Sequence, residues 1–320
     1  MGLFSRNKKT VGWLAIVPSA EGMHTCHIVR PPSAKPSVEW IAHFPPAKAS
    51  GDKALEKLAR ELHVERYQCT TLLAANEYQL VSVDAPNVPQ DELKTAIRWR
   101  LKDMLDFRVD DATIDVLDVP VDQEAAARGH SMYAVAARNQ VIEQRQTQFG
   151  DAKIPLSAID IPDLAQRNIS ALLESEGRGV AMLSFGNDGG LLTVTYNGEL
   201  YLSRRIDLSL SQLMQVCAQE SERTACFERI TLELQRSFDH LDRQYHFISL
   251  SKLFLAPLPG AVLDAGLAGY LAENLYTAVE VFGLEAVFDL AKVQELHTPE
   301  KQQHFFFALG AALRLEETVP

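Results

Sequence analysis

Residues 84–119 read DAPNVPQDELKTAIRWRLKDMLDFRVDDATIDVLDV, and a change of period inside this stretch decides the fold. Leu93, Ala96, Ile97, Leu101, Met104 and Leu105 recur near the 3.6-residue period with charged residues between them, which predicts an amphipathic helix. Asn87, with Gln90 three residues on, is a capping pair. Pro89 suits the first turn, where a missing N–H costs nothing. Asp106-Phe107-Arg108 breaks the period, and Ala112–Val119 then alternates as a strand does. The stretch is helix, acidic turn, strand.

Outward from it the chain alternates short strands and helices. Val11–Val17 and Met23–Arg30 form two strands joined by the turn-rich Pro18–Gly22. Val38–Phe44 is a short strand among Pro31, Pro32, Pro36, Pro45 and Pro46, and reads as connector rather than core. Lys53–Leu62 is an amphipathic helix, and Gln68–Leu73, Tyr78–Val83 and Met132–Ala137 are strands. A helix opens at Asp163, and Gly177-Arg178-Gly179 follows as a hinge. Val180–Phe185, Leu191–Tyr196 and Glu199–Ile206 are three strands, the last two joined by Asn197-Gly198, a strong hairpin signal. Ser209–Tyr245 is helical with a break near Glu220–Thr224. Lys252–Leu255 is a strand, and Pro257–Ala261 opens a helix ending about Leu275. Val279–Phe282 and Ala286–Asp289 are short strands. The closing helix, Lys301–Leu313, buries Phe305, Phe306, Leu309, Ala312 and Leu313.

The 320 residues are 47% hydrophobic and 23% charged, which fits a globular chain of two domains. A net charge of −11 argues against a nucleic-acid partner, because neutralising phosphates takes a concentrated basic surface, and no basic run extends beyond Arg6–Lys9. Apolar runs such as Phe305–Leu313 fall short of the roughly 20 residues that span a bilayer. No signal-length apolar core follows Met1. The four cysteines, Cys26, Cys69, Cys217 and Cys226, lack CxxC spacing and fit reduced thiols in the cytoplasm. His24-x-Cys26-His27 offers only two converging ligands on a strand, since residue 27 points away from 24 and 26, so these read as ordinary strand residues.

The segment AIRWRLKDMLDFRVDDATIDV, residues 96–116, resembles the one written AIxWExxxxxPFxxxxxxxDY in PilM-type pilus-assembly proteins. YAVAARNQVIEQRQTQF at 133–149, PLSAIDIPDLAQRNI at 155–169, the glycine-bearing hairpins at 183–206, ELQRSFDHLDRQY at 233–245 and FFFALGAALR at 305–314 follow in family order. The resemblance is nearest to the MshI-type members that serve mannose-sensitive hemagglutinin (MSHA) pili. It implies an α/β, actin-like (ribonuclease H-like) two-lobed fold with a small subdomain inserted in the first lobe. The first lobe would be 1–176 plus 301–320, the insert about 80–149, and the second lobe 177–300.

Actin-like ATPases hold ATP with magnesium, so ATP is the candidate cofactor that the resemblance implies. Their first hairpin is similar to DxGxxxxK/V; here Trp13–Ser19 carries no aspartate and no close pair of glycines, leaving Ser19. Phosphate cradles need glycine so that the backbone can approach. In the second phosphate loop Ser184 stands where aspartate is expected, Gly186 is retained, and Asn187 and Asp188 lie in the turn. At the adenosine wall, similar to LxGGxS/A, two prolines leave only Gly260. These six residues are the candidate nucleotide contacts, and no residue set is assigned to catalysis or to a metal. No Walker A, HExxH or Gly-x-Ser-x-Gly string occurs.

Arg98, Trp99 and Arg100 are the candidate partner-binding face, since tryptophan and arginine anchor interfaces; Trp99 packed against its neighbours is the plainer alternative. PilM-type proteins bind the short cytoplasmic N-terminus of a bitopic, PilN-like inner-membrane protein. The implied role is a non-enzymatic cytoplasmic platform, peripheral to the membrane through its partner. The alternative is an active actin-like ATPase or sugar-kinase-like enzyme. A cell-division protein of the FtsA kind would end in an amphipathic membrane helix, which Glu316–Pro320 is too short and acidic to form.

Overall fold

The computed structural model describes residues 10–46, 52–89, 92–120 and 131–315. The basic tail at 1–9, the polar linker at 122–129, the capping residue Gln90 and the acidic end at 316–320 lie outside these residues. The chain divides into two compact units, one of Met1–Leu72 with Gly150–Pro320 and the other of Leu73–Phe149.

The larger unit holds two five-stranded sheets. The first is built from β1 (Trp13–Ser19), β2 (Gly22–Val29), β3 (Ser37–Phe44), β4 (Gln68–Leu72) and β8 (Leu156–Asp160), in the order β3-β2-β1-β4-β8. β1 and β2 pair antiparallel, as do β2 and β3, while β4 and β8 add parallel. The second contains β9 (Gly179–Gly186), β10 (Gly189–Tyr196), β11 (Glu199–Ile206), β12 (Leu250–Leu255) and β13 (Val279–Val281), in the order β11-β10-β9-β12-β13 with the same directions. β9 is buried nearly end to end and β1 over Trp13–Ile16, as strands covered on both faces must be, so they read as continuous apolar runs rather than alternations.

Two helices, α4 (Pro162–Ser170) and α9 (Pro299–Ala312), share a single apolar core with both sheets: Ala15 and Ile28 from the first, Val180 and Met182 from the second, and Ile169, Phe305 and Leu309 from the helices. Their backbones come so close that a Cβ on Gly310 would stand 2.2 Å from the Ala165 carbonyl oxygen. Asn168 Nδ2 donates to the Gly310 carbonyl at 3.0 Å, using the same close approach. Only glycine fits there.

Against the second sheet, α6 (Glu220–Gln244) packs on β11 and α8 (Leu267–Asn274) on β13, with α5 (Leu210–Cys217) and α7 (Gly260–Asp264) packed on these helices, whereas α1 (Asp52–Leu62) lies between β3 and β4 in the chain. Ser209 and Gln212 form a reciprocal capping box at the start of α5.

The smaller unit is an antiparallel sheet in the order β5-β7-β6, from β5 (Tyr78–Asp84), β6 (Ala112–Asp118) and β7 (Ser131–Arg138), with α2 (Leu93–Leu101) and α3 (Asn139–Asp151). Ile97 and Leu101 of α2 are fully buried on Val83, Ile114, Met132 and Ala134. Each such side chain contributes about 2 kcal/mol.

Several boundaries differ from the sequence reading. α2 begins at Leu93, after Glu92, with no side-chain cap, so Asn87 does not cap it. Val88 precedes a proline, which keeps it out of the helical region, and Pro89 instead opens a turn closed by Glu92 N–H at 3.0 Å. Met104 is exposed rather than part of the stripe. Asp163 is not the cap of α4, a position held by Ile161. The prolines around 31–46 enclose a full sheet member, β3, with Val38 buried. The α5–α6 break falls at Ala218-Gln219, and the helix after Pro259 is split by Gly266, whose φ of +84° no continuing helix can hold. Residues 286–289 form no strand, though Asp289 bridges Ser37.

Candidate functional site

The ends of β1–β2 and β9–β10, and the loop after β12, all meet one stretch of α9. Both hairpins close with two-residue turns, Ala20-Glu21 between Ser19 and Gly22, and Asn187-Asp188 between Gly186 and Gly189. At the first, a Cβ on Gly22 would stand 2.1 Å from the Phe44 carbonyl oxygen, so β3 can pass only because residue 22 is glycine.

α9 presents Glu300, Gln303, His304 and Phe307 on the side opposite its buried Phe305, Leu309 and Ala312. Glu300 Oε1 lies 3.4 Å from the Gly260 backbone nitrogen. Gln303 Nε2 donates to the Phe185 carbonyl at 3.3 Å. A Cβ on Gly186 would lie 3.8 Å from the Phe307 ring, ordinary contact, so glycine is not sterically required there. His304 Nε2 stands 3.6 Å from Glu21 Oε2.

Each predicted nucleotide residue therefore has a definite neighbour. Ser19 is exposed at the end of β1, where its hydroxyl donates to the Gly22 carbonyl at 3.0 Å and accepts from the Glu21 N–H at 3.2 Å. Ser184 is buried with its hydroxyl donating to Gln166 Oε1 at 2.5 Å. Gln166, fully buried on α4, returns donors to the Met182 and Leu191 carbonyls and to Thr193 Oγ1 at 2.9, 3.1 and 3.0 Å. Asn187 and Asp188 are exposed in their turn, and Gly260 opens α7 behind Pro259. The structure brings Gly186 and Gly260 to the same helix face. It turns Ser184 away, into the helix–sheet interior.

His24 lies beside Ser19, its Nδ1 3.3 Å from the serine Oγ, with its ring stacked on His43 at 4.7 Å between centroids. Burial, reinforced by His43, His304 and Lys301, pushes its pKa down to about 4, so the ring is neutral at ordinary pH.

In the smaller unit, Arg98 is bound to the backbone: Nη1 donates to the Val109 carbonyl at 2.6 Å and Nη2 to that of Ala112 at 3.1 Å. Arg100 donates to the Asp84 carbonyl at 2.9 Å. Both guanidinium groups fasten α2 to its own sheet. Trp99 between them is 71% exposed, an expensive display for an indole.

Sequence reasoning missed Glu21, Gln166 and the α9 face. The 300, 304, 307 spacing of polar and aromatic residues on the closing helix was the available signal. Gln166 carried none, because a lone glutamine in an amphipathic helix looks like a solvent residue. His24-x-Cys26-His27 drew attention to His24, but its companions are Glu21 and His304.

No protein-family model matches this chain, and no curated protein matches it. Among solved structures, the PilM-PilN type IV pilus biogenesis complex matches with a TM-score of 0.72 at 20% identity, over 95% of this chain and 98% of that one. A Bacteroides thetaiotaomicron protein with actin-like ATPase fold and unknown function matches with a TM-score of 0.50 at 10% identity, over 93% and 99%. The fold is actin-like. Within this actin-like frame, the β1–β2 and β9–β10 hairpin ends are the ones that meet α9.

Proposed function

We propose that this chain is a non-enzymatic docking platform for type IV pilus assembly, of the MSHA type, with its actin-like lobes at 1–176 plus 301–320 and at 177–300. It works in the cytoplasm and reaches the inner membrane by holding the cytoplasmic N-terminal tail of a bitopic, PilN-like protein. The observation that carries this reading is Trp99: a large aromatic exposed on a helix whose neighbouring arginines are already committed to backbone carbonyls. A rigidly displayed tryptophan loses little entropy on binding and is the commonest kind of hot spot. The fold shared with the PilM-PilN type IV pilus biogenesis complex supports the same reading.

ATP with magnesium does not fit the residues at the hairpin ends. The hydroxyl of Ser184 is spent on Gln166, a carboxylate from Glu300 faces Gly260, and the ring of Phe307 lies over Gly186. The Gly260 N–H, the only retained adenosine-wall amide, already faces the Glu300 carboxylate at 3.4 Å.

Titration of synthetic N-terminal tails of bitopic pilus proteins into the full chain tests the platform. One tail is expected to bind with micromolar affinity, and Trp99→Ala to weaken it about 30-fold, the loss of about 2 kcal/mol typical of a hot spot. The platform reading fails if no tail binds, or if the binding tail is indifferent to Trp99→Ala.

A further inference from the structure

We propose that Glu21, His24 and His304 form a zinc-binding site that clips the β1–β2 hairpin to α9. One donor atom from each residue lies within 4.8 Å of the other two, and they are the one such His, Cys, Asp or Glu trio among the described residues. Glu21 and His24 stand three residues apart on one hairpin, while His304 comes from a helix 280 residues on, so the fold completes what the hairpin begins.

The chemistry of the donors selects the ion. Two imidazoles and one carboxylate suit zinc, whereas magnesium and calcium take sets of oxygens. His24 is held as a neutral ring, the form that ligates. Its orientation is fixed as well: Ser19 has one hydroxyl proton, given to the Gly22 carbonyl, so its oxygen accepts from His24 Nδ1–H and Nε2 keeps its lone pair. His43 Nε2 donates to the Glu21 carbonyl at 3.0 Å while its ring stacks on His24, bracing two of the three ligand residues from behind. Such hydrogen-bonded support is what metal ligands ordinarily receive.

Donors about 2.1 Å from a tetrahedral zinc stand about 3.4 Å apart, so the trio must draw in by roughly an ångström. Glu21 and His304 are both exposed, and rotamer changes at the two supply that movement while buried His24 stays in place. Lys301, one turn earlier on α9, opposes the charge of the ion; the Glu21 carboxylate offsets it. Three protein donors leave a coordination position for water.

The test uses the full chain, stripped of metal by a chelator, and zinc chloride alone. Competition against a chromophoric zinc chelator is expected to show one tight equivalent with a dissociation constant in the micromolar range or below. His304→Ala and Glu21→Gln, both at exposed positions and checked for folding by circular dichroism, are each expected to weaken that equivalent at least tenfold. Thermal unfolding should shift upward with zinc in the wild type and not in His304→Ala. The proposal is overturned if the wild type takes up no stoichiometric zinc at about 100 μM, or if His304→Ala binds it as tightly as the wild type.

Discussion

The two five-stranded sheets of the larger unit have one wiring diagram, an antiparallel three-strand meander extended by two parallel strands, and use it differently at their hairpin ends. In the first sheet the polar groups of Ser19, Glu21 and His24 gather at the β1–β2 turn against His304. In the second, Ser184 near the β9–β10 turn points inward and is consumed by Gln166, while Asn187 and Asp188 are exposed in the turn itself. Identical backbone topology thus leaves one hairpin end with donors to offer and the other with its hydroxyl committed to structure. An actin-like frame does not carry nucleotide chemistry by itself; the side chains at the strand ends decide it.

The sharpest way to break the pairing of the sheets is at the crossing of α4 and α9, which both sheets share. Gly310→Val places side-chain atoms where the Ala165 carbonyl stands, and is expected to cost about 3 kcal/mol or more, read as a drop in the denaturant midpoint at unchanged slope. Both sheets should lose protection from hydrogen exchange together, since one core serves both.

Gln166→Leu affects the second sheet alone. It leaves the Ser184 and Thr193 hydroxyls and two carbonyls without their amide partner, at a cost of about 2 kcal/mol. Combining it with Ser184→Ala should recover part of that loss, giving a coupling energy of about 1 kcal/mol in a double-mutant cycle. Strict additivity would mean that Ser184 is not held by Gln166.

Acid separates the sheets in the opposite sense. His27 of β2 is buried, its Nε2–H donating to the Val11 carbonyl at 2.9 Å, and burial lowers its pKa below the ordinary 6.5. The unfolded chain then takes up a proton that the folded chain refuses, so stability is full above about pH 6.5 and declines as the pH falls below it. The strands of the second sheet contain no histidine. Hydrogen exchange at pH 5 should therefore open β1 and β2 before β9 and β10, and His27→Phe should narrow the difference without abolishing it, since buried His24 on the same strand resists protonation as well. The smallest effect is expected from Glu300→Gln, an exposed change within about 0.5 kcal/mol of neutral in stability.

The parts of this fold legible in the sequence are those governed by period and turn chemistry. The helix through Ile97 and Leu101, the Asn197-Gly198 hairpin and the buried stripe of the closing helix all stand where spacing put them. β8 is obscured by its position just before α4, and β3, legible as a strand, reads as a connector because of the surrounding prolines; pairing with neighbouring strands rather than local pattern makes both sheet members. The doubling of the sheets leaves no repeat in the sequence, since topology constrains burial and not residue identity. At the candidate site, the glycines and serines were found by their resemblance to loop motifs. The direction of Ser184 and the company of Glu21 with His304 depend on packing of α4 and α9, elements remote in the chain.

In the proposed function, the hairpin ends around α9 do not grip a nucleotide and the protein acts by docking. Calorimetric titration of ATP into the full chain, with and without magnesium, addresses it most directly. We expect no saturable heat in either case up to about 1 mM, a dissociation free energy below about 4 kcal/mol. A one-to-one micromolar isotherm that requires magnesium would contradict the account.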